Sequence, residues 1–436
     1  MRDALSRLAL PQLLAVVCAL GGCSSEEPVP PPERVEVFTL WSSPGETEAL
    51  EELVAQHHAR RPEAEVITTA EGVFEAYNDR LEQRMASRTP PSTFQSNQGR
   101  RLLQWALYNG QDDSLSRLTP LNAIAERQGW TDGFPPEVLT VNSFRDRLYA
   151  IPISIIRQNM LYYNVRVLQE HGIDPDKLRT LDDLLAACRT LQQGGVTPLA
   201  AGNKYKWVLD MILWEQLFPS LVGAEYYTAF WQGEGNPRDE EVQATLDAFL
   251  ELVPYFNDDY NELDWDAGLM QLFPADGSEP KAAMAPMGDW GTGFYTALDK
   301  EPGQDFGAIP FPGAENVFVF SADVFPLVAG VENQAAAEEF LITVADSTTQ
   351  TRFNAIKGSL PARTDAVDLS DFTELQRKSF GDFTSRDRVS VVHGFKPNEV
   401  MAMLYEAVAD MASDGDKELL LHYLEANYAS LREIPR

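Results

Sequence analysis

The stretch from Val35 to Thr69 limits the possible folds more than any other. Residues 35–41, VEVFTLW, have the β-branched and aromatic content of a strand. Ser43-Pro44-Gly45-Glu46 then reads as a helix start. Ser43 suits the cap, Pro44 suits the first helical position, and Glu46 is placed to close a capping box. Leu50, Leu53 and Val54 continue the helix as an apolar stripe. After Arg61-Pro62, residues 65–69, EVITT, read as a second strand. Strand, helix and strand in this order form a βαβ unit, which predicts a parallel sheet and an α/β fold. Open sheets of this kind bind ligands beyond the carboxyl ends of their strands. Trp41 and Glu46 fall at such an end.

The first 22 residues read as an export signal, with Arg2 and Arg7 before the apolar stretch Leu8 to Leu20. That stretch ends in Leu20-Gly21-Gly22-Cys23, which resembles the bacterial lipoprotein signal box. The resemblance implies lipidation of Cys23; an ordinary signal peptide cut near Gly22 is the alternative. Residues 24–33, SSEEPVPPPE, read as an extended tether, so residues 23–34 carry the anchor and its spacer. The chain has 3 cysteines. Cys18 leaves with the signal and Cys23 takes lipid, so Cys188 stands alone and no intramolecular disulfide is expected. Stability then rests on a large core, which a chain of 436 residues can supply.

Lys and Arg number 35 against 66 Asp and Glu, a formal net charge of −31. Such a surface repels nucleic-acid phosphates and anionic lipid heads, so no nucleic-acid partner is expected. No apolar run long enough to span a bilayer follows the N-terminus.

Farther along, Thr180 caps a helix to Gln193, with Leu181, Leu184, Leu185 and Cys188 on one face and Gly194-Gly195 as the stop. Lys281 to Met287 reads as a short buried strand, Asp305 to Gly313 as a proline-rich crossover, Val317 to Val328 as an extended apolar run, and Gln334 to Val344 as a helix. His57 and His58 are expected on the exposed side of the first helix. Cys188 follows an apolar helical spacing and reads as core. There is no HExxH, paired CxxC, GxSxG, Walker loop or dinucleotide fingerprint, so no catalytic residue, metal or cofactor is expected. Paired carboxylates suited to glycoside hydrolysis stay open among so many acids.

Seven short segments stand in a telling order: Trp41 with Glu46; Thr89 to Gln95 (TPPSTFQ); Ile151-Pro152 with Arg157 and Asn159; Tyr163-Asn164; Met287-Gly288-Asp289-Trp290; Lys357-Gly358-Ser359; and Val392-His393-Gly394. In this order, behind a lipobox, they resemble the family 1 extracellular solute-binding proteins of bacterial ABC transporters, and among them the glucose/mannose-type sugar-binding lipoproteins. The resemblance runs from about Val35 to near the C-terminus. It implies an α/β, two-lobed periplasmic-binding-protein-like fold with a ligand cleft between lobes and several interlobe crossings. The implied lobes are residues 35–147 with 314–357, and 148–313 with 358–436. Crossings are expected near 145–150, 309–316 and 356–361.

By the same resemblance, Trp41, Glu46, Gln95, Asn97, Asn159, Trp265, Asp289, Lys357 and His393 bind the substrate. These types suit a hexose, whose apolar C–H face stacks on an indole and whose hydroxyls need fixed donors and acceptors. Plainer roles stay open beside these: Trp41 and Trp265 as core, Glu46 and Asp289 as helix caps, Lys357 as a surface lysine, His393 as a core histidine. The chain also departs from the glucose-type pattern. Leu40 stands where a tryptophan is usual, Asn97 and Ile156 stand where histidines are usual, and Glu71-Gly72-Val73-Phe74 replaces a glycine-rich loop. The implied protein is an exported, lipid-anchored monomer without catalysis. Its partners are a mono- or small oligosaccharide and the ABC permease subunits of the inner membrane, with Cys23 carrying its membrane anchor. An exported glycan-active hydrolase and a binding protein feeding a sensor are the alternatives.

Overall fold

The computed structural model describes residues 33–87, 89–106, 116–365, 367–385, 387–390 and 398–432. The export signal, Cys23 and His393 lie outside the described residues.

The βαβ unit forms as read. Arg34–Thr39 is the central strand of a three-stranded sheet, parallel to Glu65–Ala70 on one side and to Thr93–Phe94 on the other. The intervening helix is Glu46–Arg60, starting at Glu46 rather than Pro44. Ser43 opens a turn instead of a cap: its carbonyl accepts from the amides of Glu46 and Thr47, each at 3.1 Å. Gly45 ends that turn at φ +82°, a conformation that costs glycine least.

The expectation for His57 is corrected. It is buried, with Nδ1 2.9 Å from Thr343 Oγ1, while His58 is exposed. The reason is helical geometry: His57 lies four residues after Leu53, so it extends the buried stripe by one turn. Burial, with nearby His58, Arg61 and Arg60 adding to it, lowers its pKa to about 4.

A second sheet is organised by Val317–Val328, which is buried along its whole length. Ala150–Arg157 pairs with it antiparallel and Asp387–Ser390 parallel, Ser96–Asn97 and Leu118–Thr119 add short antiparallel pairs, and Leu360–Pro361 extends the sheet beyond Ala150–Arg157. A third sheet has the order Thr197–Leu199, Ala282–Met287, Met160–Asn164, Phe306–Pro310. Phe306–Pro310 lies inside the segment read as a crossover, yet it is an edge strand antiparallel to Met160–Asn164. The helix Leu181–Gln193 is capped by Thr180, whose Oγ1 accepts from the Asp183 amide at 3.2 Å. Cys188 is buried beneath it, and burial pushes its thiol up to about 12. Gln334–Val344 is helical as read.

Two apolar cores result. Val35, Phe38, Leu53, Ile153, Phe325 and Phe340 belong to the first. Leu161, Trp214, Met284, Phe306 and Leu404 belong to the second. Ile151, Ile153 and Ile155 still pack in the first core, and Met160 and Leu161 in the second. The chain therefore changes core around 157–160. Phe311, Val317 and Val319 pack in the second core and Phe318 and Phe320 in the first, so the strand from Val317 touches both cores before it settles in the first. Leu360 and Phe383 remain in the first core, and Val389 and Met401 belong to the second, so the last change of core lies beyond Phe383.

Candidate functional site

A cleft of about 1030 Å³, including its open mouth, is lined by residues of both cores at the carboxyl ends of the first sheet's strands. Each parallel strand delivers side chains into it: Trp41 and Glu46 after Arg34–Thr39, Phe74 after Glu65–Ala70, and Gln95 and Asn97 after Thr93–Phe94. This is the position that parallel α/β topology favours for ligands.

The wall on the side of the first core is a bonded polar network centred on Asp323. The register between Val317–Val328 and Ala150–Arg157 shifts between Asp323 and Val324. Ser321 lines the cleft as well, so Asp323 follows it on the same face by the two-residue alternation of a strand. Asp323 Oδ1 accepts from Gln95 Nε2 at 2.8 Å, and Oδ2 accepts from Ser154 Oγ at 2.9 Å. Lys357 Nζ lies 3.2 Å from Asp323 Oδ2 and 5.7 Å from the Trp41 ring centre. Both members of this ion pair are buried, with side chains 3% exposed. Burial works against the Lys357 ammonium, but Asp323, Glu46 and Asp289 together outweigh it and hold its pKa above the usual value. Glu46 is half-buried at the cleft, and desolvation raises its carboxyl to about 7 despite the opposing pull of Lys357. Trp41 is held edge-on to Phe325 at 5.7 Å and tilted against Phe353 at 5.1 Å. At 3% exposure it is part of the first core as well as the cleft floor.

The opposite wall is aromatic. Trp207, Trp265 and Trp290 are half-buried and all line the cleft. Trp290 is the middle one, with ring centres 6.3 Å from Trp207 and 6.4 Å from Trp265. Phe294 supports Trp265 from behind at 5.4 Å. Beside them, Asp210 and Glu215 enter the cleft from a helix that turns π over Ile212–Leu217. Widened turns of this kind recur at functional sites. Burial, with Asp210 adding to it, raises the Glu215 pKa well above the usual carboxylate range. Among the described residues, no group of three or more His, Cys, Asp or Glu is placed to hold a metal ion. Among them, too, no helix is long and apolar enough to cross a membrane.

Residues 43–351 match the family model of the bacterial extracellular solute-binding proteins. The chain belongs to that family. An uncharacterized ABC transporter extracellular-binding protein of Pyrococcus horikoshii is 28% identical, over 95% of this chain and 93% of its own length. The xylose/arabinose-binding protein XacG of Haloferax volcanii is 29% identical, over 83% of this chain and 76% of its own. The solved structure of the bacterial solute receptor AcbH, described as exclusive for β-D-galactopyranose, superposes with a TM-score of 0.78. That likeness covers 92% of this chain and 99% of the receptor at 17% identity, and shows the shared fold. The fold is α/β, two-lobed and periplasmic-binding-protein-like, as expected.

In this solute-binding protein the structure gathers Trp41, Glu46, Gln95, Asn97, Trp265 and Lys357 around one cleft. Asn159 and Asp289 are not among its lining residues. The Asn159 amide donates to the Val317 carbonyl at 3.0 Å and its Oδ1 accepts from the Val319 amide at 3.3 Å, so it ties the link between Ala150–Arg157 and Met160–Asn164 to the strand Val317–Val328. Asp289 sits behind the indole wall. Its Oδ2 accepts from the Arg157 amide at 2.9 Å, and its Oδ1 has no hydrogen-bond partner among the described residues. It precedes the helix Trp290–Ala297 but its side chain does not cap it, so the capping role is corrected. Desolvation raises its carboxyl to about 8.

Asp323, Asp210, Glu215, Trp207 and Trp290 were missed as site residues by sequence reasoning. A signal existed for three of them. Asp323 is the one charged residue in VFVFSADVFPLV, and Asp210 and Glu215 interrupt the apolar WVLDMILWEQLF. A charge inside an apolar run is costly unless paired or functional.

Proposed function

We propose that this protein is the extracytoplasmic sugar-binding subunit of an ABC-type importer. It takes a mono- or small oligosaccharide into the cleft without chemical change and delivers it to permease subunits. The observation that carries this reading is the pairing of walls: half-buried indoles face a buried network of amide, carboxylate and ammonium groups. A pyranose presents the matching pair of surfaces, an apolar face and a hydroxyl rim. Lobes on either side of the cleft make contacts that differ between open and closed forms, so the ligand favours closure. We assign the lobes by core membership: residues up to 157 with about 320–383 form one, and residues 160–317 with Val389 and the helices from Asn398 onward form the other. Lipidation at Cys23 keeps the receptor at the membrane, with residues 24–33 as its tether.

A thermal-shift panel of D-galactose, D-xylose, L-arabinose, maltose and raffinose tests the assignment. A sugar at 100 times its dissociation constant adds about 2.7 kcal/mol to stability. Chromatography of the recovered sugar separates a receptor, which returns it intact, from a hydrolase. If no sugar shifts the melting transition, the cleft has another ligand. Replacing Cys23 by Ser releases the protein from membranes with binding intact; retention after a salt wash contradicts the anchor.

A further inference from the structure

Three glycines from three elements meet where the two cores adjoin. Gly45 precedes the helix Glu46–Arg60, Gly293 lies within Trp290–Ala297, and Gly358 ends Ser347–Lys357. A Cβ on Gly293 would lie 2.3 Å from the Lys357 carbonyl oxygen. On Gly45 it would lie 2.7 Å from the Gly293 carbonyl carbon, and on Gly358 2.4 Å from the Gly293 nitrogen. All three obstructing atoms are backbone, so no rotamer change relieves the clash.

Gly45 and Gly358 have φ values of +82° and +91°, which favour glycine whatever the space. Gly293 is different. Its conformation is helical, and there alanine is ordinarily better by about 1 kcal/mol. The close contact is the physical reason for glycine at this position. The contact also joins the two walls. Trp290 lies one turn before Gly293 on the same helix, while the backbone that Gly293 touches belongs to the residues beside Glu46 and to Lys357 itself.

We propose that Gly293 is a positioning residue for ligand binding. Its bare backbone seats the helix carrying Trp290 directly against the turn before Glu46 and the end of the helix carrying Lys357. That seat sets the spacing between the indole wall and the polar wall. Only the ligand rests on the sugar reading; the contact does not.

The test uses the full-length protein with Gly293→Ala, and Gly381→Ala as control. Gly381 is also helical, and a Cβ there meets nothing within 4 Å. Without sugar, Gly293→Ala should melt within a few degrees of the unmodified protein. Amide exchange over 43–47 and 356–359 should be at least tenfold faster, with 317–328 unchanged. With the best binder of the five-sugar panel, affinity should fall at least tenfold through faster release. Gly381→Ala should change none of these. Normal exchange and normal affinity in Gly293→Ala overturn the proposal. If that variant does not fold, exchange in the unmodified protein decides: slow exchange at 356–359 supports the seat, and loop-like exchange overturns it. If no sugar of the panel binds, the sugar reading fails while the exchange comparison still judges the seat.

Discussion

The two walls of the cleft solve different problems. On the polar wall every named group is tied to another: Gln95 and Ser154 donate to Asp323, and Lys357 pairs with it. On the aromatic wall the indoles pack ring against ring and line the cleft while half-buried. A fixed polar network aims donors and acceptors with little left to order on binding, and that favours discrimination between hydroxyl patterns. The aromatic wall supplies area with little preference. The polar wall should therefore be sensitive in stability and specificity, and the aromatic wall mainly in affinity.

The strongest challenge to this division is Trp41, an indole on the polar side. Trp41→Ala should cost about 3–5 kcal/mol of unfolding free energy by denaturant titration, because it empties a packed site between Phe325 and Phe353. If only sugar affinity falls, Trp41 belongs with the aromatic wall.

Lys357→Met tests the network itself. It leaves Asp323, Glu46 and Asp289 without their common ammonium. Breaking a buried pair by removing one partner costs about 3–5 kcal/mol. The loss should be full at pH 9 and smaller at pH 5, where Glu46 and Asp289 are protonated in the folded state. A pH-independent loss contradicts this electrostatic picture.

Trp265→Ala should leave stability nearly intact and weaken sugar binding by about 1 kcal/mol, roughly fivefold, for every sugar that binds. A change confined to one sugar would mean that the aromatic wall also specifies.

Asp289→Asn sharpens the boundary between the walls with the smallest effect. An Asn oxygen can still accept from the Arg157 amide, so affinity should change less than about threefold. The pH dependence of stability should change more. The folded carboxyl titrates at about 8 and the unfolded one near 3.8, so the folded state holds the extra proton between those values. Its contribution is present below about pH 4 and lost as pH rises through 8. Asp289→Asn should remove that decline, measured as unfolding free energy at successive pH values.

The sequence showed much of the scaffold and about half of the site. The βαβ unit, the strand Ala282–Met287 and the helices Leu181–Gln193 and Gln334–Val344 follow local pattern and caps, and they stand where pattern put them. The edge strand Phe306–Pro310 was hidden because Pro310 and the following Pro312 mimic a linker, while the pairing that makes it a strand comes from Met160–Asn164. His57 was misplaced by its polarity, since the partner that lets it be buried, Thr343, lies far along the chain. Glu46, Gln95 and Lys357 were legible through short motifs. Asp323 was missed although its charge interrupts an apolar run, because the partners that allow its burial, Gln95, Ser154 and Lys357, lie far along the chain. Asp289 shows the converse: a motif placed it at the site, and burial placed its carboxylate behind the wall.

The most direct test of the account is calorimetric titration of the purified protein with the best sugar of the panel, followed by chromatography of the sugar recovered. The account predicts saturable binding at one sugar per chain, loss of that binding in an Asp323→Ala, Trp265→Ala double variant, and return of the sugar unchanged. Cleavage of the sugar, or unchanged binding in the double variant, contradicts a non-catalytic cleft built from these two walls.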